Sequence, residues 1–273
     1  MALESVELSP LIGSEVKLDA ASMLSGEYGA EIRDLLDKRG VLVFHDVPLE
    51  DDELQAFAAT IGTVFDEGEK GIFKVSMDPE VNPSAYILYG TMVWHMDRLD
   101  TPIPPRGSML SPRVLPSEGG DTEFTNTYAA YDDLPEADKQ RFEHLQVAHH
   151  VSATFRRMPP EIRATAEAIP AFNTEPRVQP LVWGHRSGRK SLVFGTTAAR
   201  IVGLPKEESD ALIDWLLEWM EQPKYVYRHK WRMGDLVVWD NTGTMHRVRP
   251  FDPNSGRRLH RVTLVGEEPV AAV

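Results

Sequence analysis

Two residues of this chain, His95 and Asp97 in Trp94-His95-Met96-Asp97, restrict its fold more than any other feature. On a β-strand alternate side chains share a face, so this imidazole and this carboxylate point the same way. Together they make two of the three ligands of a divalent metal site. A candidate for the third, His246, closes the stretch Trp239-Asp240-Asn241-Thr242-Gly243-Thr244-Met245-His246, far downstream. It suits a place at the mouth of a β-barrel, and a chain using all three must bring these segments together there.

The remaining sequence is patterned for such a fold. Residues 1–20 read as irregular chain with short strands. Ile32, Leu35 and Leu36 fall at helical spacing over 28–39, Gly40 ends that helix, and Val41-Leu42-Val43-Phe44 reads as a buried strand. Leu54, Phe57, Ala58 and Ile61 make a second helical stripe behind an acidic start, Glu50 to Glu53, with Gly62 as its stop. Strands are expected over 71–75, 85–89, 107–111, 123–126, 192–195, 225–231, 236–239 and 259–264. Helices are expected over 134–145 and 205–221, the latter with a core stripe of Leu212, Trp215, Leu216 and Trp219. Residues 63–93 form a candidate lid, and 151–178 a partly helical insertion broken by prolines. Many short strands with helices packed outside predict a mainly β fold, a sandwich or jelly roll. With no repeat or linker, residues 1–273 are expected to form a single domain.

Composition excludes several function classes. A net charge of −13 makes nucleic acid a poor partner. The absence of cysteine removes disulfides, thiolate ligands and cysteine nucleophiles, and fits a cytoplasmic location. No apolar run is long enough to span a membrane, and the N-terminus does not read as a secretory signal. Within this acidic chain, residues 224–261 form a basic island, which points to a site for a small anion or to a solvated basic face.

Two histidines and one carboxylate with open positions are the arrangement of non-haem Fe(II) oxygenases. Arg257 and Arg261 share strand parity, so both face one side, and an arginine offers a planar fork that matches a carboxylate. Arg258 has the opposite parity. Thr122, in the turn Gly119-Gly120-Asp121-Thr122, adds a hydroxyl. Metal, arginine and hydroxyl together fit a dicarboxylate that chelates iron through a 2-oxo-acid end while Arg257 and Thr122 hold its far carboxylate. That is the logic of 2-oxoglutarate as co-substrate.

These motifs carry a resemblance. The chain resembles the taurine/2,4-dichlorophenoxyacetate dioxygenase family of Fe(II)- and 2-oxoglutarate-dependent enzymes, from Val41-Leu42-Val43-Phe44 to its last strand. Besides Trp94-His95-Met96-Asp97, the matching motifs are Gly119-Gly120-Asp121-Thr122-Glu123-Phe124, Ala129-Ala130-Tyr131-Asp132 and Trp239-Asp240-Asn241 leading to His246. The spacings match too: 27 residues from His95 to Thr122, and 11 and 15 from His246 to Arg257 and Arg261. The resemblance implies a double-stranded β-helix of the jelly-roll type with flanking helices. It implies Fe(II) on His95, Asp97 and His246, and 2-oxoglutarate on Thr122 and Arg257. It places Arg261 near the chelating carboxylate or the substrate anion, and Trp239 near the metal. The implied reaction consumes O2 and 2-oxoglutarate, releases succinate and CO2, and hydroxylates a small anionic organic substrate. The presence of Asp97 disfavours halogenation.

Within the family the likeness is to the aryloxyacetate branch. Lys74 in Ile72-Phe73-Lys74-Val75 sits where that branch binds the substrate carboxylate. The chain departs from the branch at Arg98-Leu99-Asp100 and in a short 76–93 segment. Arg98 is open between binding substrate and pairing with Asp100, of which the ion pair is favoured. Alternatives are a natural-product or amino-acid tailoring hydroxylase and a non-catalytic protein that binds metal and 2-oxoglutarate. Homo-oligomerisation is left open.

Overall fold

Val41-Leu42-Val43-Phe44, apolar at every position, forms a strand with all four residues buried. Such a run suits a strand covered on both faces. The structure, a computed structural model, describes residues 3–156 and 175–273. The first half contains β1 (Ser5–Glu7), β2 (Ser14–Val16), α1 (Ala20–Leu24), α2 (Gly29–Arg39), β3 (Val41–Phe44), α3 (Asp51–Ile61), β4 (Phe73–Ser76), a 3-10 helix (Ala85–Met92), β5 (Gly107–Val114), β6 (Thr122–Asn126) and α4 (Thr127–Asp132). There follow α5 (Glu136–Phe142), β7 (Gln146–His149), α6 (Val151–Arg156), β8 (Arg177–Pro180), β9 (Val182–Gly184), β10 (Lys190–Leu192), β11 (Ala198–Ile201), α7 (Lys206–Met220), β12 (Val226–His229), β13 (Leu236–Asp240), β14 (Thr244–Val248) and β15 (Arg258–Leu264).

The larger sheet runs β1-β2-β3-β13-β5-β15-β4, and a smaller one runs β12-β6-β14. From β5 to β6, and from β12 through β13 and β14 to β15, the chain alternates between these sheets. That alternation is the double-stranded β-helix of the jelly-roll type. Strand parity sorts the side chains into layers. Val41, Val43, Leu110, Phe124, Val237, Trp239 and Leu259 pack in one cluster between the sheets. Leu42, Phe44, Met109, Val238 and Val262 pack in another with apolar residues of α2 and α3. A third cluster joins β7, β9, β10 and β11 to α7.

Local chemistry sets the helix limits. Gly40 takes a left-handed φ of 72° and its N–H bonds back to Leu36, ending α2. Glu50 and Glu53 form a capping box at the start of α3. Phe57 of α3 is fully buried and meets Phe44 edge-to-face at 5.6 Å. Phe57→Ala is expected to cost about 3–5 kcal/mol of stability, read as a lowered midpoint in urea unfolding with unchanged slope.

Some expectations are corrected. Residues 85–92 form a 3-10 helix rather than a strand. Only Lys190–Leu192 is strand around 192–195, and the helix expected over 134–145 shortens to Glu136–Phe142. Leu212 and Leu216 are buried, but Trp215 of the same stripe is 38% exposed. The expected lid over 63–93 contains an edge strand, β4, paired to β15. Residues 157–174 of the expected insertion lie outside the described residues. Among the described residues no helix is long and apolar enough to cross a membrane.

Candidate active site

His246 lies in β14, directly opposite Phe124 of β6, and Val248 lies opposite Thr122. Paired residues share a face, so Thr122, Phe124, His246 and Val248 point the same way. His95 reaches this face without a strand, which corrects the strand expected at 94–97. It makes one antiparallel bridge with His246, with reciprocal backbone hydrogen bonds of 3.1 and 2.9 Å. Asn241 fixes the turn that follows. Its side-chain oxygen accepts from Asp97 N–H at 2.8 Å, and its amide donates to the Asp97 carbonyl at 3.1 Å.

The three side chains converge. One ligand atom from each of His95, Asp97 and His246 lies within 4.8 Å of the others, and all three are buried or nearly so. Asp97 Oδ1 is 3.8 Å from His95 Nε2 and 3.9 Å from His246 Nε2. His95 Nδ1 donates to the Val93 carbonyl at 2.8 Å, which leaves the Nε2 lone pair free. The Trp239 ring packs 4.7 Å from His246. Burial lowers the pKa of His246 to about 3, with His95 adding to the shift, and burial also lowers His95 against the opposing pull of Asp97. For Asp97 burial acts upward, but Arg261 and the two histidines outweigh it and hold the carboxyl below its usual range. Two neutral imidazoles and one carboxylate, with no thiolate, are the deprotonated donors that a non-haem iron needs.

The arginines differ. Arg261 packs on the ring of Phe73 at 4.8 Å and donates from Nη1 to Asp97 Oδ2 at 3.3 Å. Its Nε and Nη2 are taken by Glu67, at 3.3 and 3.2 Å. Arg257 makes no ion pair among the described residues. Its Nη2 donates to the Gly120 carbonyl at 3.0 Å, and its buried Nε has no partner. Burial pushes its pKa down to about 10 against the pull of Asp121, so it stays protonated at neutral pH. Gly120, at φ 74°, leaves room for it, since a Cβ there would lie 2.9 Å from Arg257 Nε. A void of about 10 Å3 lined by Val248 adjoins Arg257. Thr122 accepts from the Trp231 indole at 3.0 Å, which leaves its own hydroxyl hydrogen free to donate.

Two expected substrate contacts change. Lys74 is directly opposite His260 in the β4–β15 pair and bonds Glu69 at 2.8 Å. It lies on the opposite strand face from Arg261, so the structure does not bring it to the site. Arg98 makes no pair with Asp100. It adopts φ 54° and lays its guanidinium over Phe65 at 4.9 Å, at the edge of the cleft. In the basic island Lys224 pairs with Asp133 and Arg228 with Asp121 toward the surface, while Arg247 pairs with the buried Glu123.

A cleft of about 260 Å3 opens over His95 and Asp97, with walls that include Tyr86, Ile87, Leu88, Val151 and Phe155. Sequence reasoning missed the parts played by Asn241, Glu67 and Phe65. Asn241 was visible within a quoted motif, whereas Glu67 and Phe65 carried no local signal.

Comparison with known proteins adds to this geometry. A family model described as "Taurine catabolism dioxygenase TauD, TfdA family" matches residues 4–263. The chain is 36% identical to an α-ketoglutarate-dependent 2,4-dichlorophenoxyacetate dioxygenase of Burkholderia sp. (strain RASC), over 97% of this chain and 95% of that one. It is 32% identical to an (S)-phenoxypropionate/α-ketoglutarate dioxygenase of Sphingobium herbicidovorans, over 83% of this chain and 82% of that one. Among solved structures, AAD-2 in complex with Mn(II) and N-oxalylglycine superposes with a TM-score of 0.81 at 34% identity, covering 99% of this chain and 100% of that one.

Proposed function

The chain belongs to the taurine catabolism dioxygenase TauD, TfdA family, and we propose that it hydroxylates a small aryloxyalkanoate-like anion at iron held by His95, Asp97 and His246. It is a dioxygenase that depends on Fe(II), 2-oxoglutarate and O2. The observation that carries the site assignment is the buried convergence of two imidazoles and one carboxylate, of which His95 and Asp97 line an apolar-walled cleft. When bound, the iron couples oxidative decarboxylation of 2-oxoglutarate to oxidation of a substrate C–H bond.

The protein's own groups bind and orient. Arg257, buried without a counter-ion among the described residues, and Thr122, with a free hydroxyl hydrogen, suit the distal carboxylate of 2-oxoglutarate. Arg261 steadies Asp97, and Trp239 packs against His246. Tyr86, Ile87 and Phe155 give an aryl body an apolar wall. Arg98 at the rim takes the substrate anion, since Lys74 faces elsewhere and Arg261 is already engaged by two carboxylates. A cytosolic location fits the cysteine-free composition.

The test is succinate release with aryloxyalkanoates, alkyl sulfates, aliphatic amino acids and apolar carboxylates as substrates. Aryloxyalkanoates are expected to stimulate it most, and preference for an uncharged or amino-acid substrate refutes the substrate class. Arg98→Ala is expected to raise KM for the preferred anion by about 10- to 100-fold, the loss of a charge-assisted hydrogen bond. An unchanged KM removes Arg98 from the pocket.

A further inference from the structure

We propose that Glu67 prevents Arg261 from capturing Asp97, and so preserves the carboxylate arm of the metal site; this rests on the metal site proposed above. Asp97 divides its oxygens. Oδ1 faces both imidazole Nε2 atoms, and Oδ2 receives a single hydrogen bond from Arg261 Nη1. That division depends on how Arg261 presents itself. A guanidinium grips a free carboxylate best with two parallel N–H donors, one to each oxygen. Here the Nε and Nη2 donors are already paired with the two oxygens of Glu67. With that edge held by Glu67 the guanidinium cannot turn it toward Asp97 and meets Asp97 through Nη1 alone, so Oδ1 stays available.

Glu67 is held in place independently of Arg261. Thr263 Oγ1 donates to Glu67 Oε1 at 2.5 Å, and Phe65, two residues earlier, donates its N–H to the Thr263 carbonyl at 2.8 Å. The Phe65 ring in turn lies beneath the Arg98 guanidinium. The loop before β4 is thus anchored to β15 on one side and to the turn after Asp97 on the other. Without the Glu67 carboxylate, Arg261 keeps its full charge in a mostly buried place with one anionic partner left among the described residues, Asp97. A two-point grip then turns Oδ1 away from the imidazoles, and the uncompensated guanidinium also repels a divalent cation. Glu67 is a positioning residue, acting through Arg261.

The experiment measures Mn(II) binding by equilibrium dialysis to the full-length wild type, Glu67→Gln and the double variant Glu67→Gln/Arg261→Met. Glu67→Gln is expected to weaken Mn(II) binding by about 10- to 100-fold, the usual effect of losing a partner that orients a metal ligand. The double variant is expected to return close to the wild-type affinity, because the competing fork is gone. A purely structural role for Glu67 predicts no such rescue. Wild-type affinity in Glu67→Gln, or a double variant as weak as the single one, overturns the proposal. If Glu67→Gln does not fold, Glu67→Asp is used instead, since the shorter side chain uncovers the fork. Unchanged affinity there overturns the proposal equally. A wild type that does not bind Mn(II) overturns the metal site itself and this inference with it.

Discussion

Asp97→Ala and His95→Ala are each expected to abolish succinate formation while the protein stays folded. The loss of activity follows from the donor set, because each substitution removes one of three convergent ligand atoms. Survival of the fold follows from how the site is held. The turn after Asp97 is fixed through its backbone by Asn241, so the carboxylate is not needed to form it. Removing that carboxylate does not strand a buried cation, since Arg261 keeps Glu67 as a partner. Among the described residues the His95 ring makes one hydrogen bond, to Val93, so its loss costs about 0.5–1.5 kcal/mol on that account. Thermal melting alongside a succinate assay and Mn(II) dialysis separates the two effects. Substantial turnover in either folded variant refutes the assignment.

Arg257→Met should raise KM for 2-oxoglutarate by about 10- to 150-fold, corresponding to the 1.5–3 kcal/mol of a hydrogen bond to a charged group. The sign of the stability change makes this test specific. Arg257 is a buried cation with no ion pair among the described residues and an unpartnered Nε. Its hydrogen bond to Gly120 and its contact over the Phe251 ring recover only part of the desolvation energy that such a group costs. An apolar side chain of similar length is therefore expected to leave Tm unchanged or raise it. A raised KM together with an equal or higher Tm identifies a residue kept for its ligand. An unchanged KM refutes the role.

Much of this molecule is legible in its sequence where pattern and environment agree. The α2 and α3 stripes, the glycine after α2 and the wholly apolar β3 all report burial directly, and the structure follows them closely. The ligand spacing held for a different reason from the one expected. His95 and Asp97 share a direction because one bridge and the Asn241 clamp hold a turn, an arrangement that no local pattern encodes. The run Ala85-Tyr86-Ile87-Leu88-Tyr89 has strand-like composition, but Tyr86, Ile87 and Leu88 wall a cleft and no strand among the described residues pairs with the run. Parity alone sets Lys74 opposite Phe73 in facing, and only the packing of Phe73 under Arg261 shows which of the two turns toward the site. Glu67 was not readable, because its importance lies in contacts with residues almost 200 positions away.

The bridge between His95 and His246 joins backbone segments about 150 residues apart. His95 and Asp97 are neighbours, but without the distant His246 an emerging polypeptide has no complete grip on an ion, since closing that loop carries an entropic cost that only the completed sheets repay. On the proposed metal site, metal loading is therefore expected to follow assembly of the sheets. The apoprotein is then expected to stand alone, with ion uptake a reporter of correct assembly rather than its template.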